Sequence, residues 1–506
     1  MGGYSPRAVL FSTTLLSVCH PTYLRFKPTL IIFYELRWCM HRFTKIVCTI
    51  GPATSSRDAI KSLVKAGMDV VRLNFSHGTH EEHAARIKLI REVSKELATP
   101  VAIIQDLPGP KLRVGKLPNE PLRLEAGDRV TLSVSQQVGS AGVIPVHPEG
   151  FPRMVDVGSE VYLADGMIRL RVVGKNGPNV MCEVEVGGNL TTGKGVNVPH
   201  VKGEVGAVTE EDVEHIRFGL SSGVDYIALS FVRSAADLDT ARRIVSEFGS
   251  DVPLIAKIEK AEAVDRLDDI VRRSDAVMVA RGDLGVELGL ENVPLIQKRI
   301  IRLSNAMGRP VITATQILLS MLTYTTPTRA EVSDIANAIL DGTDALMLSE
   351  ETAVGANYLE AVGVLDRVCR RVESELGYGS QGLSEAESVE DAVGMAACRV
   401  ASAIRAEEIV AYTRSGSTAR LIAKYRPHTE IVAFTPSESV ARRLKLVWGV
   451  LPFKIDEVVG ELQPEIVEQA LRKFGFAKSG EKAVIVAGAP TGPVGSTNMI
   501  RVQLIH

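Results

Sequence analysis

A unit of one short β-branched run, a loop and an amphipathic segment repeats eight times between Thr44 and Glu351, and that periodicity leaves few folds open. The candidate strands are 44–50, 69–75, 101–107, 226–232, 253–259, 276–281, 310–315 and 345–351. Continuous apolar runs of this length, alternating with helical patterns, predict parallel strands buried on both faces. Eight of them predict an α/β fold of the (β/α)8 TIM-barrel type, whose catalytic groups sit at the strand C-termini. The polar residues fall at those ends: Arg72 and Asn74, Asp106, Lys257 and Glu259, Asp283, Thr315, and Glu350. Chance would scatter them along the strands.

Two of these runs carry most of the chemistry. Leu254-Ile255-Ala256-Lys257-Ile258-Glu259 and Ala276-Val277-Met278-Val279-Ala280-Arg281-Gly282-Asp283 are apolar stretches that end abruptly in charge. An ammonium and two carboxylates, Glu259 and Asp283, then meet at one rim. That set suits a divalent cation held against a phosphate or enolate oxygen. The plain alternative for Lys257 is a rim salt bridge.

Residues 113–200, between the third and fourth candidate strands, have a different texture. Ile168, Leu170 and Val172 alternate with Arg169 and Arg171 after the turn Asp165-Gly166, which predicts a small all-β domain. A loop after a barrel strand hangs over the catalytic mouth, so the expected role is a lid, with passive decoration as the alternative. The barrel itself is expected over 41–112 and 201–376.

The polar stretch 377–384 reads as a linker into a C-terminal open α/β domain over 377–506, with strands near 407–413, 430–435, 447–454, 482–488 and 499–505. Its first strand runs into Thr413, Arg414, Ser415, Gly416, Ser417 and Thr418 and then a helix over 419–425. Hydroxyls and backbone N–H groups at a helix N-terminus suit a phosphate. Ordinary capping by Ser and Thr is the competing explanation.

Composition removes several classes. A formal net charge of −2 gives no field that favours nucleic acid or an anionic membrane. Cys19, Cys39, Cys48, Cys182, Cys369 and Cys398 lack paired spacing, so they read as reduced thiols of a cytoplasmic protein rather than a disulfide frame or zinc site. No apolar run reaches the roughly 18 residues that a membrane span needs. The first 40 residues hold one acid, Glu35, and no clear periodicity. The expectation is that Met40 is the true start and the stretch before it a start-site artefact. A targeting peptide is the alternative, although no clean apolar core precedes a small-residue cleavage site.

From Thr44 to the C-terminus the chain resembles the pyruvate kinase family. The likeness rests on separated motifs in order: Thr44-Lys45-Ile46-Val47-Cys48-Thr49-Ile50-Gly51-Pro52-Ala53, Val71-Arg72-Leu73-Asn74-Phe75-Ser76-His77-Gly78, Lys257-Ile258-Glu259, Ala280-Arg281-Gly282-Asp283-Leu284-Gly285, Thr313-Ala314-Thr315-Gln316 and Pro327-Thr328-Arg329-Ala330-Glu331. The resemblance implies phosphoryl transfer from phosphoenolpyruvate to ADP, giving pyruvate and ATP. It implies that Glu259 and Asp283 bind Mg²⁺, with Mn²⁺ as a substitute, and that Lys257 and Arg72 hold the transferring phosphoryl group. Free backbone N–H groups of Gly282 and Asp283, with help from Thr315, would take the substrate carboxylate. Asn74, His77, Arg113 and Lys194 would contact the nucleotide, and a phosphorylated effector and a homotetramer are implied as well.

One departure from the family pattern stands out. Many members read Asp-Thr-Lys-Gly-Pro-Glu after the third strand and hold K⁺ there. This chain reads Asp106-Leu107-Pro108-Gly109-Pro110-Lys111. Asn74, Ser76 and Asp106 remain, but Leu107 offers only its carbonyl. Lys111 is expected to supply the monovalent charge internally, so that K⁺ is not required; a solvated lysine beside an intact K⁺ site is the alternative. Glu350 departs from the usual Ser-Gly-Glu-Thr and is given no role. The rival readings are a barrel lyase that stabilises a metal-bound enolate and a metabolite sensor that has lost catalysis.

Overall fold

The computed structural model describes residues 42–110, 112–140, 142–147, 149–164, 166–199, 206–376, 386–456, 463–476, 478–488 and 496–506. Residues 1–40, Asp165, Lys111 and the 377–384 linker lie outside the described residues.

All eight candidate strands form, as Lys45–Thr49, Val70–Asn74, Ala102–Asp106, Tyr226–Leu229, Leu254–Ile258, Ala276–Ala280, Val311–Ala314 and Ala345–Leu348. They close a parallel barrel in sequential order, the first strand pairing with both the second and the last. Several stop short of the expected end because the chain turns where its polar residues begin. Arg281 opens the helix Arg281–Leu288, Glu350 opens Glu350–Ala353, and Thr315 takes a φ of 67°. Those turns aim side chains and N–H groups over the barrel mouth.

The insertion after the third strand is built of β-strands, as its alternation predicts, with one helical turn at Phe151–Met154. Ile168, Leu170 and Val172 are buried along Ile168–Asn176, while Arg169 and Arg171 face out and both pair with Glu185. Seven of its strands close into a second, smaller barrel with its own apolar core. The C-terminal sheet holds Val450–Lys454, Glu430–Thr435, Glu408–Tyr412, Lys482–Ala487 and Met499–Leu504 in that spatial order, the last antiparallel at the edge. Helices between its parallel strands make it the open α/β sheet that the sequence indicates.

At the opposite end of the catalytic barrel, every even-numbered strand is preceded by an aspartate. Asp69, Asp225, Asp275 and Asp344 each accept a backbone N–H from the neighbouring strand, from Ile46, Ile103, Leu254 and Val311 at 2.9–3.1 Å. Each also meets an arginine: Arg42, Arg91, Arg242 and Arg426 respectively. Three of the four take a cation from the C-terminal domain. Lys445 reaches Asp69 at 2.7 Å, Arg442 reaches Asp225 at 2.8 Å, and Arg426 reaches both oxygens of Asp344 at 3.1 Å. The floor of the barrel is thereby fastened to the C-terminal sheet.

Candidate active site

Above the mouth, under the inserted barrel, lies a cavity of about 580 Å³. Arg72, Asn74, Ser76, His77, Asp106, Leu107, Lys257, Glu259, Asp283 and Thr315 line it from the catalytic barrel, and Arg113 and Lys194 from the lid. Lys111 lies outside the described residues.

Lys257 is the hub. Its ammonium donates to Ser230 Oγ at 2.6 Å and sits 2.9 Å from Glu259 Oε1 and 3.1 Å from Asp106 Oδ1. Arg72 grips Asp106 from the other side, its Nε 2.7 Å from Oδ2, and donates to Thr49 Oγ1 at 3.2 Å. Burial disfavours the Lys257 charge, but Asp106 and Glu259 outweigh it and hold the pKa above the ordinary lysine value. Burial likewise works to raise the Asp106 pKa, yet Lys257 and Arg72 hold that carboxyl below its usual range. The result is a buried cluster that stays charged on both signs.

Glu259 behaves differently. Burial pushes its pKa up; Lys257 and the Phe231 N–H pull against that, and the nearby Asp283 charge adds to the upward push. A buried carboxylate with a second, half-buried one nearby is a setting that a hard divalent cation relieves. Among the described residues no cluster of three or more His, Cys, Asp or Glu could hold a metal, and Glu259 and Asp283 both line the cavity.

The corner expected to take the substrate carboxylate differs from that expectation in one respect. Gly282 N–H is not free: it donates to Thr315 Oγ1 at 2.9 Å. The Thr315 hydroxyl in turn donates to Ala314 O at 2.6 Å. A second difference comes from the inserted barrel, where Asn197 Nδ2 lies 3.5 Å from Asp283 Oδ1. Arg113 donates to Gly193 O at 2.8 Å, which ties it to the Lys194 turn. His83 Nε2 sits 3.0 Å from the His77 carbonyl, so His77 is braced from behind.

Sequence reasoning passed over Ser230, Phe231 and Asn197, and it gave Glu350 no role although it lines the cavity. Glu351 is structural, accepting N–H groups from Leu318 and Ser349. Ser230 directly follows the fourth strand, as Thr315 follows the seventh.

The C-terminal loop lies apart from this cavity. Gly416 takes a φ of 83° and donates its N–H to Thr413 Oγ1 at 2.9 Å, just before the helix Ser417–Lys424. Thr413 and Thr418 are buried, Thr418 sharing a hydrogen bond of 2.8 Å with Thr497. Ser415 and Arg414 are exposed, and Ser415 Oγ lies 3.0 Å from Ser417 Oγ.

Residues 41–362 match the family model for the pyruvate kinase barrel domain, and residues 391–503 match that for the pyruvate kinase alpha/beta domain. The chain belongs to the pyruvate kinase family. It is 44% identical to Pyruvate kinase 2 of Synechocystis sp. over 469 residues, which span 92% of this chain and 79% of that protein. Identity to the pyruvate kinase of Geobacillus stearothermophilus is 44% over 478 residues, covering 92% and 81%. The crystal structure of a pyruvate kinase from Cryptosporidium parvum superposes with a TM-score of 0.84 at 35% identity, covering 92% of this chain and 97% of that one. Members of this family are phosphotransferases, and they generally use Mg²⁺ and K⁺.

Proposed function

We propose that this phosphotransferase moves the phosphoryl group of phosphoenolpyruvate to ADP, giving pyruvate and ATP. The observation that carries the reading is the Arg72–Asp106–Lys257–Glu259 chain of charges beneath a roomy polar cavity. Phosphoryl transfer asks mainly for positioning and for charge where charge redistributes. Lys257 and Arg72 clamp the phosphoryl oxygens, with Asp106 fixing both cations at their separation. Glu259 and Asp283 would hold Mg²⁺ or Mn²⁺, which when bound polarises the enolate oxygen. The N–H groups of Gly282 and Asp283 receive the substrate carboxylate once Thr315 releases the first of them. The freed Thr315 hydroxyl then belongs to the proton path to the enolate carbon. Asn74, His77, Arg113 and Lys194 face the nucleotide.

K⁺ independence is part of the proposal. Three of the four groups that would surround a monovalent cation already have protein partners: Asp106 ion-pairs with Arg72 and Lys257, Leu107 O accepts the Ser230 hydroxyl at 2.7 Å, and Asn74 Oδ1 accepts the Ser76 N–H at 3.1 Å. Lys111 supplies the fixed positive charge in their place.

Regulation completes it. The 413–418 loop binds a phosphorylated small molecule, and the chain works as an allosteric homotetramer in the cytoplasm. Free thiols at Cys48, Cys182, Cys369 and Cys398 suit that compartment, and among the described residues no helix is long and apolar enough to cross a membrane.

The test is ATP formation from phosphoenolpyruvate, ADP and Mg²⁺ with tetramethylammonium and then K⁺ as the only monovalent cation. Equal rates are expected. Activity in K⁺ alone would keep the kinase and remove Lys111 from it, and no activity in either salt would refute the assignment.

A further inference from the structure

The fourth barrel strand ends at Leu229, and the next two residues do work that no sequence motif announced. Ser230 is buried. Its hydroxyl donates to Leu107 O at 2.7 Å, which leaves its lone pairs facing the Lys257 ammonium at 2.6 Å. Phe231 then takes a φ of 57°, a left-handed conformation that bulky side chains rarely adopt. That turn points the Phe231 N–H at Glu259 Oε2, 2.8 Å away.

The turn is held from both sides. A Cβ added at Gly109 would come within 3.2 Å of Phe231 Cδ2 and of Ser230 Cβ, so the loop after the third strand packs directly on the pair. On the other side the Lys260 ammonium lies 5.6 Å from the Phe231 ring centroid, itself fixed by an ion pair to buried Glu287. A strained backbone over-determined by its surroundings, next to a reacting centre, is where function is to be sought.

We infer that Ser230 and Phe231 are positioning residues, one aiming the Lys257 ammonium and the other fixing the Glu259 carboxylate. The inference rests on the metal and phosphoryl roles proposed above for those two side chains. The Lys257 ammonium donates to Ser230 Oγ and lies at ion-pair distance from Asp106 Oδ1 and Glu259 Oε1, so protein oxygens surround it, although Asp106 Oδ1 takes no hydrogen bond. A Glu259 oxygen turned to a divalent cation would loosen its ion pair and free the ammonium toward substrate. From then on Ser230 and Asp106 aim the ammonium, and the Phe231 N–H holds the other Glu259 oxygen.

The test uses the full chain. Mn²⁺ binding, followed by electron paramagnetic resonance, is compared for wild type, Glu259→Gln, Phe231→Gly and Phe231→Ile. Glycine keeps both the N–H and the positive φ but loses the ring. Isoleucine keeps bulk but resists that φ. Isoleucine is expected to weaken Mn²⁺ binding about fivefold or more while glycine stays within about twofold. The reverse order, glycine worse than isoleucine, would make Phe231 a packing residue and overturn its role. Loss of binding in Glu259→Gln reports separately on the metal assignment.

Ser230 has its own arm, which does not depend on the metal. Ser230→Ala should lower kcat about tenfold or more, the worth of one hydrogen bond to a charged group, with KM for phosphoenolpyruvate within about twofold. Ser230→Thr should recover most of the loss. An unchanged kcat in Ser230→Ala, or an equal loss in Ser230→Thr, would overturn the role of Ser230.

Discussion

Replacing Arg426 with methionine should loosen the junction between barrel and C-terminal domain more than any other single change at that surface. Arg426 meets both oxygens of Asp344 at 3.1 Å, and its second terminal nitrogen also donates to Asn305 Oδ1 at 2.7 Å and Gly342 O at 2.8 Å. Its guanidinium lies 4.7 Å from the Trp448 ring centroid. Both partners of the ion pair are only 7% exposed, so water cannot take over when one is removed. Asp344 would keep the N–H groups of Val311 and Trp448 but lose its countercharge. Stranding a buried charge costs about 3–5 kcal/mol, and the methionine stem, which keeps some packing on Trp448, places this case near about 3 kcal/mol. At about 2 °C per kcal/mol for a unit of this size, the loss is about 6 °C in Tm.

Trp448 makes the event visible. The chain has 2 tryptophans, and this one is stacked on Phe43 at the junction, with ring centroids 4.7 Å apart. Its fluorescence should change at a lower temperature in Arg426→Met than in wild type, at every scan rate tried. Adding Asp344→Asn should restore about 2 kcal/mol, because the stranded charge goes with it. A Trp448 transition within about 1 °C of wild type, or strictly additive effects in the double variant, would refute the reasoning.

Three further outcomes follow from contacts described above or beside them. Gly219→Ala places a Cβ 2.0 Å from Gln105 Oε1, and Gln105 is buried and tied to His215 O, so the variant should lose about 1–3 kcal/mol in chemical denaturation despite alanine's better helix propensity. A variant as stable as wild type would show that Gln105 can move. Burial pushes the His83 pKa down from 6.5 to about 4, so the unfolded chain binds the extra proton between those values. That stability is present above about pH 6.5 and drains away toward pH 4, and His83→Gln should flatten the fall of Tm across this window; parallel curves would contradict it. Lys257→Met should cost about 10²–10³ in kcat, as for other single donors to a developing charge, with far less effect on KM. A rise in KM of that size with kcat unchanged would mean that Lys257 binds substrate without favouring the transition state.

The eight barrel strands were legible because burial on both faces writes a continuous apolar run, and a switch to charge marks each end. The same switch singled out Arg72, Lys257, Glu259 and Asp283. Ser230 escaped because a serine after Tyr226-Ile227-Ala228-Leu229 carries no charge to announce it. Gly282 was expected to present a free N–H, and its partner Thr315 is a neighbour only across strands. The lid's alternation indicated β structure but not closure into a barrel, since closure depends on register between distant strands. The aspartates at the floor were visible as residues, but their cations come from positions 426, 442 and 445, which only folding brings near.

Those aspartates bear on how the C-terminal domain can be interrogated. Shortening the chain after residue 376 would strip Asp69, Asp225 and Asp344 of Lys445, Arg442 and Arg426 at once. Three acids built into strand starts would then face solvent or one another with three of their five counterions gone, and the barrel would be weakened where it is sewn together. A dead fragment would report that damage and say nothing about a lost effector. The barrel is not an excisable module with a regulator attached; single substitutions within 413–418, which leave the floor intact, are the way to ask what the loop does.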